Sequence, residues 1–347
     1  ALVMALSLAA CGSEPAANSD APSGDDVSSG EAVALTLTCN GTEQGNDTRA
    51  ARRFKELIEE ETNGRITINI YNNDQLAGGN MTSAIELLTG GGTDIDIHST
   101  SIISSIAPEA MVCTMPWLFS DYQAAEDAFF GAGGEYMTEL LSTKGVTYLG
   151  AVHNGFKLIT NSKHPIEQPE DLAGLKIRIP GGDFFMDFYT AYGASPQAMS
   201  WSEVFTALQT GTYDGQENPL PTADAASIQE VQSYLTYWTG AYDCLFFCMN
   251  AELYNSLSPE LQAIVDEAGQ AACEYERELN RSQDQEIMDK WAEAGVEITE
   301  LTPEAAAEFA EASAPVYDEF ADELTPELIE AFTSVTQADA GTTEPAA

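Results

Sequence analysis

The chain has 347 residues, with 56 Asp and Glu against 13 Lys and Arg and a formal net charge of −43. A field of that sign repels nucleic acid and anionic membrane surfaces, which excludes both as electrostatic partners. It also repels a small anion at long range, but salt screens the field over about 8 Å, so a local cationic pocket can still win at contact.

Ala1 to Ala10 form an apolar run that ends Leu8-Ala9-Ala10-Cys11. It is too short to span a bilayer and reads as the apolar core and cleavage motif of a bacterial lipoprotein leader whose charged start is missing. Residues 1–11 are thus expected to be a leader remnant ending in the lipidated Cys11. Lipid on Cys11 would anchor the protein to the outer face of the cytoplasmic membrane, an extracytoplasmic location. Residues 12–31, rich in Ser, Ala, Gly, Pro and Asp, read as a flexible linker, and 337–347 as a disordered tail. Roughly 300 residues remain between them, enough for two domains.

Ala34 to Cys39 alternates as a first strand. Ala50, Ala51, Phe54, Leu57 and Ile58 then recur at helical spacing over Asp47 to Thr62, ended by Asn63-Gly64. Arg65 to Tyr71 is a second strand, Met81 to Leu88 a short helix closed by Gly90-Gly91-Gly92, and Asp94 to His98 a third strand. This strand–helix order predicts an α/β fold, a sheet with helices on both faces. The glycine triplet follows a helix and lacks the Lys-Ser/Thr of a phosphate loop. Val146 to Gly150 and Lys157 to Asn161 read as two further strands, Ser202 to Thr210 as a capped helix, Tyr242 to Asn250 as an apolar strand, and Pro259 to Ala294 as one long helical stretch.

Cysteine says little. Besides Cys11 there are Cys39, Cys113, Cys244, Cys248 and Cys273, an odd number that leaves room for a disulfide the sequence does not assign. Cys244 and Cys248 stand in an apolar strand, and only three histidines occur, so a metal site is not expected and no cofactor is predicted.

Gly174 to Pro219 is the most informative segment. Leu175-Lys176-Ile177-Arg178-Ile179 alternates as a short strand closed by Pro180 and Gly181-Gly182. Ile177 and Ile179 share one face, Lys176 and Arg178 the other. Ligands of open α/β sheets bind beyond the C-terminal ends of strands, and a guanidinium placed there offers two parallel donors to a carboxylate.

Three motifs in this segment, GLK-x-R-x-P at 174–180, GA-x-P at 193–196 and SEV-x-x-ALQTG-x-x-DGQENP at 202–219, resemble the solute-binding proteins of tripartite ATP-independent periplasmic (TRAP) transporters, the DctP type. The resemblance implies a two-lobed, periplasmic-binding-protein-like clamp with a ligand cleft between lobes and a long helix packed across both. It groups residues 32–154 with 244–283 as one lobe and 155–243 with 284–336 as the other. It implies capture of a small organic anion, its delivery to a TRAP membrane permease, and no catalysis. No G-x-S-x-G, H-E-x-x-H or Cys–His pairing argues for an enzyme. A ligand sensor coupled to a membrane signalling protein would use the same clamp.

The resemblance also assigns residues. Arg178 matches the carboxylate-binding Arg, and Asn218 the Asn that contacts ligand. Trp201 stands where an aromatic packs on the ligand, Asn40 where an Asn lines the cleft, and Trp117 in a Pro-aromatic-Leu-Phe motif is a candidate wall. His98 and Ser99 end a strand facing the cleft by analogy. Lys157, in Gly155-Phe156-Lys157, replaces the second cleft Arg of many relatives, keeping the charge but losing the fork. It suits a second anionic or hydroxyl group held less rigidly.

Overall fold

The structure, a computed structural model, describes residues 32–339. Cys11, the leader run and the linker therefore lie outside the described residues, as does the expected tail from residue 340 on; residues 337–339, expected in that tail, belong instead to the helix Pro326–Asp339.

Among the described residues, ten strands form two sheets that share one long member. β1 (Val33–Cys39), β2 (Ile66–Tyr71) and β3 (Ile95–Ser99) are parallel. β9 (Tyr242–Asn250) runs antiparallel to β3 and pairs with the first part of β4 (Val146–Asn161). The last five residues of β4, Lys157 to Asn161, instead pair with β7 (Gly215–Pro219), and three of them also with β8 (Tyr234–Tyr237). β5 (Lys176–Ile179) and β6 (Ser195–Ala198) extend that second sheet beyond β7, and β10 (Glu297–Glu300) extends it beyond β8. The long antiparallel strand is thus the spine that carries the chain from one sheet to the other.

β4 joins what the alternation predicts as two strands. The intervening Ala151 to Phe156 hides its strand character behind His153, Asn154 and Gly155, but the fold satisfies those groups. His153 Nδ1 meets the Tyr242 hydroxyl at 2.6 Å, and Asn154 Nδ2 donates to Asp243 at 2.6 Å. The pairing with β9 slips in register at Gly150 and at Gly155, which has φ +119°. Only glycine adopts that conformation without strain.

The helices cover both faces. Asn46–Glu61 and Pro259–Asn280 pack on the first sheet around Leu35, Leu37, Phe54, Phe247 and Val265. The helical stretch expected over 259–294 is two helices, Pro259–Asn280 and Asp284–Glu293. The break falls where Ser282 Oγ and Gln283 Nε2 both donate to the Leu279 carbonyl, at 2.9 Å each, a local side-chain alternative to continued helix. The first helix lies on the first sheet and the second beside the second sheet, so the stretch reaches both as two rods.

A second correction concerns the C-terminus. The helix Pro326–Asp339, expected with the second lobe through residue 336, packs instead beside Tyr122–Phe130 and Ala132–Ser142 of the first. Phe332 is fully buried there, edge-on to Phe129 with ring centroids 5.4 Å apart. Its ring would touch any side chain at Gly133, so the small residue admits the helix. The five cysteines of the described residues are free and buried. No helix among the described residues is long and apolar enough to cross a membrane.

Candidate functional site

A cavity lies between the sheets, with walls from both. Asn40, Asn46, Asp47, Ser99 and Asp243 come from the first, and Lys157, Arg178, Trp201, Asn218 and Thr222 from the second. Its free volume is about 30 Å³, room for a few ordered waters at most. A wider groove of about 600 Å³ adjoins it across Met81, Ile102 and Pro180.

Arg178 is placed by its strand. Ile177 and Ile179 on the opposite face of β5 are fully buried and pin the register, while Pro180 stops the strand. The Arg178 side chain is 2 % exposed and turns into the cavity. Its Nε and Nη2 both donate to the Met199 carbonyl, at 2.9 and 2.6 Å. Met199 is itself held by its own N–H donating to the Ile179 carbonyl at 3.2 Å. One edge of the fork is therefore anchored, and Nη1 makes no hydrogen bond among the described residues. The Trp201 ring, at the start of the helix Trp201–Gln209, lies 5.4 Å from the guanidinium carbon and fixes its plane from one face. Burial lowers the Arg178 pKa to about 10, with Glu217 opposing, so the group stays charged at neutral pH.

Lys157 lines the cavity with its charge already engaged. It is buried, its Nζ lies 2.7 Å from Glu217 and 3.5 Å from Asp243, and it sits 4.8 Å over the Phe185 ring. Burial works to lower its pKa, but Asp243 and Glu217 outweigh burial and raise it. Its charge is already met by two carboxylates and is not an unspent second cation. Asp243 also accepts from Asn154 Nδ2 and from Ser99 Oγ at 3.1 Å, and Thr222 in turn donates to Asn154. Asn218 Nδ2 donates to Gln216 at 2.9 Å, and Gln216 to Thr160 at 3.0 Å, which locks the amide in β7.

On the other wall, Asn40 donates to Asp74 at 2.8 Å. Asp47 accepts from the Gly41 and Thr48 backbone N–H groups at 2.5 and 2.8 Å, and burial raises its pKa to about 6. A Cβ at Gly41 would lie 2.5 Å from Asp47, so only glycine allows this approach.

The cavity therefore gathers Arg178, Asn218, Lys157, Trp201, Asn40 and Ser99. His98 and Trp117 stand elsewhere. Alternation along β3 puts Ser99 toward the cavity and His98 behind it, fully buried, 3.5 Å from Asp74. Trp117, at φ +62°, turns away to stack edge-on against Trp238 at 5.6 Å. Its backbone N–H is fixed to the Gly240 carbonyl at 2.7 Å. Sequence reasoning missed Asp243, Asn154, Thr222, Asn46 and Asp47. Of these only Asp243 carried a signal, as a lone charge at the head of an apolar strand. Among the described residues, no three His, Cys, Asp or Glu side chains are grouped to hold a metal ion.

Two sheets bridged by one strand, with an anchored guanidinium facing a small polar cavity between them, define a two-lobed ligand-binding clamp. The chain belongs to the bacterial extracellular solute-binding proteins, family 7 (DctP), whose profile matches residues 40–324. It is 33 % identical to the 2,3-diketo-L-gulonate-binding periplasmic protein YiaO of Escherichia coli K12, over 72 % of this chain and 75 % of that one. It is 30 % identical to the C4-dicarboxylate-binding periplasmic protein DctP of Rhodobacter capsulatus, over 83 % and 86 %. A TRAP periplasmic solute binding protein from Ralstonia eutropha H16, solved with bound (S)-2-acetolactate, superposes with a TM-score of 0.85 at 29 % identity, covering 88 % of this chain and 99 % of that one. These relatives are binding proteins.

Proposed function

We propose that this protein is the extracytoplasmic receptor of a TRAP-type transporter, which captures a small organic acid in the cleft and delivers it unmodified to a membrane permease. The observation that carries the reading is Arg178: one edge of its fork is fixed to a carbonyl, and Nη1 and the second Nη2 hydrogen remain for a carboxylate in a buried cavity. Burying a carboxylate is prohibitive unless it is paired, and a two-pronged guanidinium supplies the pairing. Asn218, Asn40 and Ser99 ring the ligand, and Trp201 backs the guanidinium. Lipid on Cys11 would hold the receptor at the membrane.

The lobes are 32–156 with 242–283 and with the last helix, and 157–241 with 284–324. The change of β4 from one sheet to the other at Lys157 supports these limits, as do the break at 281–283 and the packing of Phe332. Ligand contacts from both lobes favour the closed clamp, a population shift rather than chemistry.

A thermal-shift panel of organic acids tests the reading. An acid that binds only the folded state stabilises it by about 2.7 kcal/mol at a hundredfold excess over its dissociation constant. At least one acid should raise the midpoint and be recovered unchanged. No response from any acid, or a chemically altered one, contradicts the proposal.

A further inference from the structure

Part of the wall that the first lobe presents to the cavity is the start of the helix Asn46–Glu61. Asn46, its first residue, lines the cavity and is 4 % exposed. Its Nδ2 is a buried donor with no hydrogen-bond partner among the described residues. Leaving a buried amide unpaired costs free energy, and folded proteins pair nearly all such groups.

The amide is aimed from its other end. Arg49 lies one turn further along, on the same face of the helix, and its Nη1 donates to Asn46 Oδ1 at 3.4 Å. A guanidinium has no acceptor, so the amide must turn its oxygen toward Arg49 and its NH2 away from it. The same Nη1 donates to Gln283 Oε1 at 3.0 Å, and Gln283 Nε2 donates to the Leu279 carbonyl at 2.9 Å. Gln283 stands in the break between the two rods and immediately precedes the second, Asp284–Glu293. Arg49 is therefore tied to the hinge and holds the amide in turn. Because the amide is neutral, its pairing does not depend on the charge balance among Arg178, Glu217, Lys157 and Asp243.

We propose, resting on the receptor reading above, that Asn46 is a ligand-binding residue of the first lobe, donating from Nδ2 to a ligand oxygen, and that Arg49, held by Gln283, is the positioning residue that aims it. Arg178 takes the carboxylate from the second lobe, and Asn46 takes an oxygen from the first. One small molecule is thereby gripped across the cleft, and it satisfies a donor that the protein itself does not meet.

Calorimetric titration with pyruvate, D-gluconate and succinate, and with any other acid that raises the midpoint in the thermal-shift panel, tests this. Asn46→Ala should bind a responding acid about tenfold or more weakly, a loss of about 1.4 kcal/mol. Its unliganded midpoint should change little, because the lost donor bonds nothing in the protein. Asn46→Asp keeps an oxygen toward Arg49 and removes the donor, so it should weaken binding at least as much. Either variant, folded and binding within about twofold of the parent, overturns the inference and leaves the receptor reading intact. No response of the parent to any acid overturns both. Arg49→Ala should weaken binding about threefold or more in the parent and far less in the Asn46→Ala background, because it acts through that amide. A loss of similar size in both backgrounds, or none in either, refutes the positioning role.

Discussion

Arg178→Ala separates ligand capture from folding. On the ligand side the variant loses two charge-assisted hydrogen bonds, each worth about 1.5–3 kcal/mol. The sum, about 3–6 kcal/mol, weakens binding roughly 10²- to 10⁴-fold. On the protein side the Trp201 ring and the buried Glu217 lose a neighbouring cation, and the Met199 carbonyl loses its donors. That costs about 1–3 kcal/mol if water does not replace them. Burial lowers the Arg178 pKa to about 10, so removing the guanidinium also relieves an unfavourable desolvation. The unliganded midpoint should therefore fall by no more than about 10 °C. Arg178→Lys keeps the charge and loses the fork, so its affinity should lie between the two. Calorimetry with one acid and all three proteins reads the affinities, and scanning fluorimetry without ligand reads the stabilities. Arg178→Ala binding within about threefold of the parent refutes the reasoning, because no arrangement that uses both prongs survives it.

Stability should be greatest at mildly acidic pH. Burial raises the Glu276 carboxyl from 4.5 to about 8, so its contribution is complete below pH 4.5 and fades as pH rises to about 8. Burial raises Asp96 from 3.8 to about 6, and it fades over that lower range in the same sense. Burial would lower His98, but Asp74 and Asp96 outweigh it and raise the pKa to about 9, so that share is lost between 6.5 and about 9. Scanning fluorimetry should show the midpoint falling from about pH 6 to 9, and Glu276→Gln should flatten the fall; a rise over that range contradicts the assignment. Gly155→Ala, at φ +119° with its Cβ 2.9 Å from the Tyr122 hydroxyl, should cost about 1–3 kcal/mol in chemical denaturation. A cost below about 0.5 kcal/mol would show that the crossing is not strained.

Much of the fold could be read because its strands alternate or are uniformly apolar. Tyr242 to Asn250 is a strand at the predicted bounds, and β1, β2 and β3 begin and end within a residue of theirs. β4 was harder, because His153 and Asn154 look unlike strand residues until Tyr242 and Asp243 are seen across from them. The helices Tyr122–Phe130, Ala132–Ser142 and Pro326–Asp339 are hard to see in the sequence, because short alanine- and glycine-rich or acidic helices carry weak periodicity. At the site, Arg178, Asn218 and Trp201 could be read because the GLK-x-R-x-P to DGQENP segment carries them together. The compensation of Lys157 could not, since Glu217 and Asp243 come from strands distant in sequence and meet it only across β4. His98 shows the limit of position along a strand: one residue decides between cavity and core.

The most direct measurement is a crystal structure of the protein with its tightest-binding acid. A carboxylate should lie end-on against Nη1 and Nη2 of Arg178, with the Met199 carbonyl still held on the other edge, Trp201 beneath, and residues of both lobes in contact with the ligand. A ligand bound away from Arg178, or held by one lobe alone in a cleft that does not close, would contradict the account.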